Sequence, residues 1–313
     1  MADFSLAEIA GATGGEVLSA GPLGGGERTT AVSTDSRKIS AGALFVALRG
    51  ESFDGHEHLV AAVSAGARAV VVERDASDAK VAAAVSAGAA VVKVESSLVA
   101  LGALARAHAR RWRALGGVRW TLAITGSAGK TTTRVATQAL LETLHPGEVH
   151  ATKGNLNNLV GAPMVLFGLR PEHRYAVIEI GMSVPGEIEA LARIVEPDAG
   201  LVTLVAAAHV EALGSIEGVA HEKGALYRAL GKDGVALGNA DNAHVRAQIE
   251  TSPAAKKSLY GAHESADVRI VARGPKGLSA SQLHLRVRES DIRFSTPLLG
   301  KPARMRVRPR SLR

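Results

Sequence analysis

The chain is 313 residues long, which gives room for about two domains with ordinary cores. It contains no cysteine, so disulfides, thiol nucleophiles and cysteine metal sites are excluded, and with 3% aromatic residues its interior is expected to be mainly aliphatic. The net charge of +7 sits at one end: residues 301–313 hold six Lys/Arg and no acid, the rest balances 31 bases against 30 acids, and a nucleic-acid partner is therefore not expected.

The N-terminus, Met1-Ala-Asp-Phe-Ser-Leu-Ala-Glu8, carries acids where a secretory signal needs bases. No uninterrupted apolar run is long enough to span a membrane. A soluble cytoplasmic protein with no membrane partner is the expectation. Residues 5–18 read as a short helix and turn, followed by the glycine-rich loop 21–26. Val32-Ser-Thr-Asp-Ser-Arg37 comes next, then an apolar strand over 42–48 that runs into Arg49-Gly-Glu-Ser-Phe53-Asp-Gly-His56. A helix over 57–65 and a strand over 69–73 complete a small α/β unit. Such folds put ligands at strand ends, so Ser33, Asp35, Ser36 and Arg37 are candidates to hold a polar substrate. Turn-forming residues beside a solvated arginine explain that pattern equally well. Residues 96–113 form a helix whose Arg110, Arg111 and Arg113 are expected to be a solvated end, and Gly116-Gly117 marks a hinge.

The next stretch organises the rest of the chain. Leu122-Ala-Ile124 reads as a short buried strand that stops at the turn Gly126-Ser127-Ala128-Gly129, and Lys130-Thr131-Thr132 opens a helix on which Val135, Ala139, Leu140 and Leu144 share a face. Strand, glycine turn and a lysine at a helix start make phosphate-binding geometry: small residues let backbone N–H groups close around the anion, and the helix N-terminus adds partial positive charge. Lys130 can reach the β/γ-phosphates and the Thr131 hydroxyl can ligate Mg²⁺. The general nucleotide loop has a glycine five residues before Gly129, where this chain has Ile124. A glycine-rich turn beside a surface lysine is the plainer alternative.

Further along, Lys153-Gly-Asn155-Leu-Asn157-Asn158 packs amides suited to polar ligands, although loops use Asn for turn chemistry as often. The strand over 175–181 carries Glu179 at its C-terminal end, a candidate Mg²⁺ ligand. Glu187 and Glu189, on the next helix, are expected to face solvent. His209 follows the strand over 200–205 on the same ligand-bearing edge, although a lone histidine is more often structural. Lys223, on a helix over 217–230, passes by spacing as a surface lysine. The strand over 235–238 ends in Asn239-Ala-Asp-Asn242, a polar cluster that could face a base or ribose. Leu283, Leu285 and Val287, then Ile292 and Phe294, alternate as antiparallel edge strands do.

Taken together, Thr34-Asp-Ser-Arg37, Phe53-Asp-Gly-His56, Thr125-Gly-Ser-Ala-Gly-Lys-Thr-Thr132, Gly154-Asn-Leu-Asn-Asn158, Ile178-Glu-Ile-Gly-Met182, Ala207-Ala-His-Val-Glu211 and Gly214-Ser-Ile-Glu-Gly-Val-Ala220 resemble the Mur ligase family. The family's own phosphate loop has this shortened spacing. The Asn-Leu-Asn-Asn and Gly-Ser-Ile-Glu-Gly segments favour the dipeptide-adding branch. The resemblance implies a small N-terminal α/β UDP-sugar domain over 1–113. A central P-loop ATPase-like domain would span 114–300, with a mostly parallel sheet flanked by helices and antiparallel edge strands. It implies an ATP- and Mg²⁺-dependent ligase of peptidoglycan precursors, joining D-Ala-D-Ala to a UDP-N-acetylmuramoyl-tripeptide through an acyl phosphate.

Within that picture Gly126, Ser127, Ala128, Gly129, Lys130, Thr131, Thr132 and Asn239 would bind ATP, with Asn239 near adenine. Lys130, Glu179, His209 and Lys223 would serve catalysis, and Thr131, Glu179, His209 and Lys223 the metal, Lys223 as a carbamate formed with CO₂. Ser33, Asp35, Ser36, Arg37, His56, Asn157 and Asn158 would lie on the UDP-substrate side. A monomer acting on small molecules is expected. Family members continue past Pro297-Leu-Leu-Gly300 with a third domain, whereas here thirteen Arg/Pro-rich residues follow and that domain is expected to be absent. The alternative reading is a non-catalytic fragment that binds nucleotide or UDP-sugar.

Overall fold

The computed structural model describes residues 2–207, 213–276 and 280–296. The proposed basic tail at 301–313 and His209 lie outside the described residues. The chain is mixed α/β, its sheets mostly parallel with antiparallel edge strands, and it divides into two compact units. Among the described residues no helix is long and apolar enough to cross a membrane.

The first unit comprises Met1–Thr121, Gln138–Met182 and Ala190–Glu196. Its sheet contains β1 (Glu16–Ser19), β2 (Val32–Ser33), β3 (Leu44–Val46), β4 (Ala69–Val72) and β5 (Ala90–Lys93), in the order β1-β5-β4-β3-β2. All neighbours are parallel except β1, which runs antiparallel to β5. Unbroken aliphatic runs make the inner strands: β3 and β4 are buried at every position, as strands covered on both faces must be. Phe45, Leu59, Val70, Val72, Val81 and Val91 form the core beneath α2 (Leu59–Ser64) and α3 (Ala79–Ser86).

The short helix and turn expected over 5–18 are present, and a strand follows that was not expected. α1 (Leu6–Thr13) starts on a Ser5/Glu8 capping box and stops at Gly14, whose φ of +66° ends the helical path, and the chain then pairs as β1. α4 (Ser97–Ala114) corrects an expectation, because its terminal arginines are ion-paired. Arg106 and Arg110 each donate Nε to Glu196 at 2.8 Å, and Arg113 donates to the Glu196 carbonyl and to Thr121. Arg111 reaches Glu8 and Asp3 and lies over the Phe4 ring. These arginines hold the end of α4 to other parts of the same unit. The unit also contains α6 (Gly161–Leu166) and the parallel pair β7 (Val149–Ala151) and β8 (Tyr175–Glu179).

The second unit comprises Leu122–Thr137, Ser183–Glu189 and Pro197–Arg313. Its strands are β6 (Trp120–Thr125), β9 (Ala199–Val202), β10 (Val235–Asn239), β11 (Lys256–Gly261), β12 (Val268–Lys276), β13 (Ala280–Val287) and β14 (Ser290–Thr296), in the order β14-β13-β12-β11-β10-β9-β6. Strands β6 to β12 pair in parallel and the last two antiparallel. The alternation read from the sequence sets this register, since Leu283 opposes Phe294 and Leu285 opposes Ile292. α7 (Glu187–Val195) begins in this unit, and α8 (Ile216–Arg228) and α9 (Ala243–Ile249) belong to it.

α5 (Lys130–Leu144) begins where expected but turns a different face inward. Val135, Leu140 and Leu144 are exposed, while Arg134 is buried and Thr137, Gln138 and Leu141 are half-buried. The apolar residues are spread around this helix, so apolarity is a poor guide to its inner side. Of the two glutamates expected to face solvent, Glu189 does, and Glu187 is half-buried, accepting a hydrogen bond from Val184 N–H at 3.0 Å.

Candidate functional site

The turn after β6 is pinned from one side. Thr125 is fully buried; Gly126 follows at φ +148° and Gly129 at φ +86°, values that favour glycine. A Cβ on Gly126 would stand 2.0 Å from Thr203 Oγ1, so only a glycine fits there. Ser127 N–H donates to the Leu204 carbonyl at 2.7 Å, and its hydroxyl donates to the Ala206 carbonyl while accepting from Ala206 N–H. Thr203 Oγ1 donates to the Ala128 carbonyl at 2.6 Å. The Lys130 ammonium folds back onto the Gly126 carbonyl at 2.7 Å, at the first residue of α5. The result is a closed backbone turn with a cation and a helix N-terminus on it, which suits a phosphate chain. Thr131 and Thr132 follow on the exposed first turn of α5.

Lys223 belongs to the same unit. Spacing alone would leave it on the surface, yet it is 2% exposed on α8. Burial, reinforced by the nearby Lys130 cation and opposed by Glu222, lowers its ammonium to about 8. Glu222 is committed elsewhere, its two carboxylate oxygens accepting from Gly186 N–H and Ile188 N–H at 3.0 Å each. Asn239, at the end of β10, donates Nδ2 to the Thr203 carbonyl and accepts from Asp241 N–H. His209 lies outside the described residues, and these contain no cluster of three His, Cys, Asp or Glu side chains that could hold a metal.

In the first unit, Glu179 ends β8 at 2% exposure. Its N–H donates to Thr152 Oγ1 at 2.9 Å, and its Oε1 accepts from Asn157 Nδ2 at 3.0 Å, so Asn157 and Glu179 are brought together. Asn158 is engaged differently: its Oδ1 accepts from Val160 and Gly161 N–H, the turn chemistry that leads into α6. At the end of β2, Ser33 Oγ donates to the Asp35 carbonyl, and Asp35 takes the Arg37 guanidinium through two bonds of 2.9 and 3.0 Å. That pairing lowers the Asp35 carboxyl to about 2 and leaves the Arg37 side chain 85% exposed. Ser36 is half-buried at the start of the same short turn.

His56 is 1% exposed, and both its ring nitrogens are used within the protein. Nε2 accepts from Glu73 N–H at 2.9 Å, which puts the ring proton on Nδ1, facing Asp54 Oδ1 at 2.6 Å. Burial disfavours the Asp54 anion, but its bonds to His56 and Arg74 outweigh that and hold it at about 2. His56 therefore ties the end of β4 to the 53–56 turn. Sequence reasoning passed over Thr203, Ser127's hydroxyl partner and Glu222; the position of Thr203 just past a buried strand was the signal available for the first.

The Mur ligase middle domain matches residues 124–303, and the Mur ligase family catalytic domain matches residues 28–109. The chain is 37% identical over 274 residues to the UDP-N-acetylmuramoyl-tripeptide–D-alanyl-D-alanine ligase of Haemophilus influenzae, covering 86% of this chain and 56% of that protein. It is 40% identical over 223 residues to the protein of the same name from Escherichia coli, covering 71% and 46%. Among solved structures, MurF from Acinetobacter baumannii superposes with a TM-score of 0.82 at 27% identity, covering 95% of this chain and 61% of that one. The MurF ligase of Thermotoga maritima, solved with ADP, shares the fold at a TM-score of 0.73 and 24% identity, covering 85% and 58%. The chain spans about half the length of the curated relatives it matches.

Proposed function

This chain belongs to the Mur ligase family, and we propose that it serves an ATP-dependent ligase of peptidoglycan precursor synthesis, joining D-Ala-D-Ala to a UDP-N-acetylmuramoyl-tripeptide. The observation that carries the reading is the pinned glycine turn at the end of β6 with Lys130 folded onto it. Relatives at 37% and 40% identity that share one activity in their names support it.

In this reading the tripeptide carboxylate attacks the γ-phosphorus of ATP, giving an acyl phosphate and ADP. The D-Ala-D-Ala amine then adds to the acyl carbon and inorganic phosphate leaves. Gly126 to Thr132 cradle the phosphates, and Lys130 exchanges its carbonyl partner for a phosphate oxygen as charge develops there. Asn239, held through Thr203, lies on the adenine side. Ser33, Asp35, Ser36, Arg37, Asn157 and Asn158 serve the UDP-substrate, and His56 fixes the 53–56 turn.

Mg²⁺ suits oxygen donors, and the Thr131 hydroxyl and Glu179 carboxylate are of that kind, with His209 as a further candidate. When bound it would neutralise phosphate charge. The Lys223 ammonium is a cation and fits no such site. Its burial on α8 close to the Lys130 cation supports a carbamate there, which would convert it into an anionic oxygen ligand. We place this monomeric activity in the cytoplasm, on small-molecule substrates.

The test is ADP release on mixing the chain with Mg-ATP, UDP-muramoyl-tripeptide and D-Ala-D-Ala, with ligated product followed in parallel. Dipeptide-dependent ADP and product are expected. Ligand binding without turnover would favour the binding-fragment reading, and binding of neither ATP nor UDP-substrate would overturn the proposal.

A further inference from the structure

We propose that Thr203 is a positioning residue for the phosphate loop, aiming the Gly129 N–H at the nucleotide; the inference rests on the nucleotide reading above. Thr203 lies one residue past β9 and is 5% exposed. Its hydroxyl has a single proton and two carbonyls within reach, Ala128 at 2.6 Å and Thr125 at 3.2 Å, so the shorter bond to Ala128 takes it. The Ala128 carbonyl belongs to the same peptide group as the Gly129 N–H. Among the described residues no peptide bond is cis, and in a trans peptide the C=O and N–H point in opposite directions. Holding the carbonyl against Thr203 therefore turns the Gly129 N–H to the side away from Thr203. The Gly126–Ser127 peptide is held by its other end, since Ser127 N–H donates to Leu204 while the Gly126 carbonyl faces the Lys130 ammonium.

Thr203 is in turn held on three sides. Its own N–H donates to the Thr125 carbonyl at 3.0 Å, its carbonyl accepts from Asn239 Nδ2 at 3.0 Å, and Gly126 packs against its Oγ1 at a distance that admits no side chain. The loop itself is rich in small residues and has no side chain of its own to orient the Ala128–Gly129 peptide. Thr203 supplies that orientation from the adjacent strand without being positioned to touch the phosphate. A β-phosphate would feel the loss of one aimed amide, whereas a nucleoside monophosphate would not.

Thr203→Val keeps the branched shape and removes the hydroxyl; Thr203→Ser keeps the hydroxyl. Titration calorimetry with ADP and with AMP, alongside the ligand-free melting temperature, is the measurement. The expected result is a roughly tenfold loss of ADP affinity in T203V, the size of one lost anion hydrogen bond. AMP affinity should stay near wild type, the melting temperature should fall by no more than the few degrees that one lost hydrogen bond costs, and T203S should hold ADP within about threefold. Should T203V fail to fold, T203A carries the same comparison. Unchanged ADP affinity without the hydroxyl, an equal loss for AMP, or an equal loss in T203S would overturn the proposal. A wild-type chain that binds no ADP would instead overturn the nucleotide reading on which it rests.

Discussion

Gly126→Ala is the sharpest perturbation the geometry offers. The new methyl would stand 2.0 Å from Thr203 Oγ1 and 3.1 and 3.2 Å from the Leu204 N and O, on a backbone at φ +148°. Two costs follow. The backbone region disfavours any Cβ by about 1–3 kcal/mol. Making room displaces the Thr203 side chain and breaks its bond to Ala128, which adds about 1 kcal/mol. The single variant should therefore lose about 2–4 kcal/mol, a large share of the 5–15 kcal/mol typical of a folded domain.

Thr203→Ala removes both the clashing atom and the bond it made, so the two changes share one cost. The double variant G126A/T203A should be more stable than the sum of the singles predicts by about 1 kcal/mol or more. Urea unfolding of the four proteins measures this cycle. Additivity within about 0.3–0.5 kcal/mol, or a G126A protein as stable as wild type, would refute the account of the pinned turn.

The histidine pair in the first unit gives a pH dependence. His150 stacks on His173 with ring centroids 5.0 Å apart. Burial, then the positive charges at His173, Lys153 and Arg170, push His150 down from 6.5 to about 4, against its bond to the Val165 carbonyl. The folded protein thus binds fewer protons than the unfolded chain between those values. This contribution is complete above pH 6.5 and is lost as the pH falls to about 4, by up to about 3 kcal/mol. Urea midpoints at several pH values should show a shallower fall in His150→Gln, and an unchanged slope would contradict the assignment. Glu196→Asn keeps a residue tolerant of the observed φ of +47° but removes the carboxylate charge that pairs with Arg106 and Arg110, and should cost about 1 kcal/mol, most visibly at low salt. For Lys223, a carbamate carbon resonance should appear with ¹³C-bicarbonate in the wild type and be absent in Lys223→Arg. A signal that persists in the variant would assign it to another amine.

Much of the fold was legible because backbone signals are local. The glycines at 126 and 129 punctuate β6 and α5, and the aliphatic runs at 43–48 and 69–72 can only be buried strands. Alternation at 283–294 gave the edge hairpin its register. The short strand β1 is largely open to solvent and has no periodicity to betray it; only its partner β5 makes it a strand. The inner face of α5 was misread because its buried residue is Arg134, which composition places outside. The terminal arginines of α4 carry no sign in the sequence that Glu196, 83 to 90 positions away, receives them.

The candidate site divides along the same line. Lys130 and the loop announce themselves by spacing, and Glu179 by its place at a strand end. The burial of Lys223 depends on the packing of α8, which no local pattern records; only the family resemblance drew attention to it. Thr203 acts through a carbonyl 75 positions away, a relation that appears only when β6 and β9 lie side by side.

The most direct test of the central claim is the melting temperature of the chain with Mg-ATP and, separately, with UDP-muramoyl-tripeptide, compared with Lys130→Ala. The account predicts that each ligand raises it in the wild type and that K130A keeps the response to the UDP-substrate while losing most of that to Mg-ATP. No response to either ligand, or an undiminished ATP response in K130A, would contradict it.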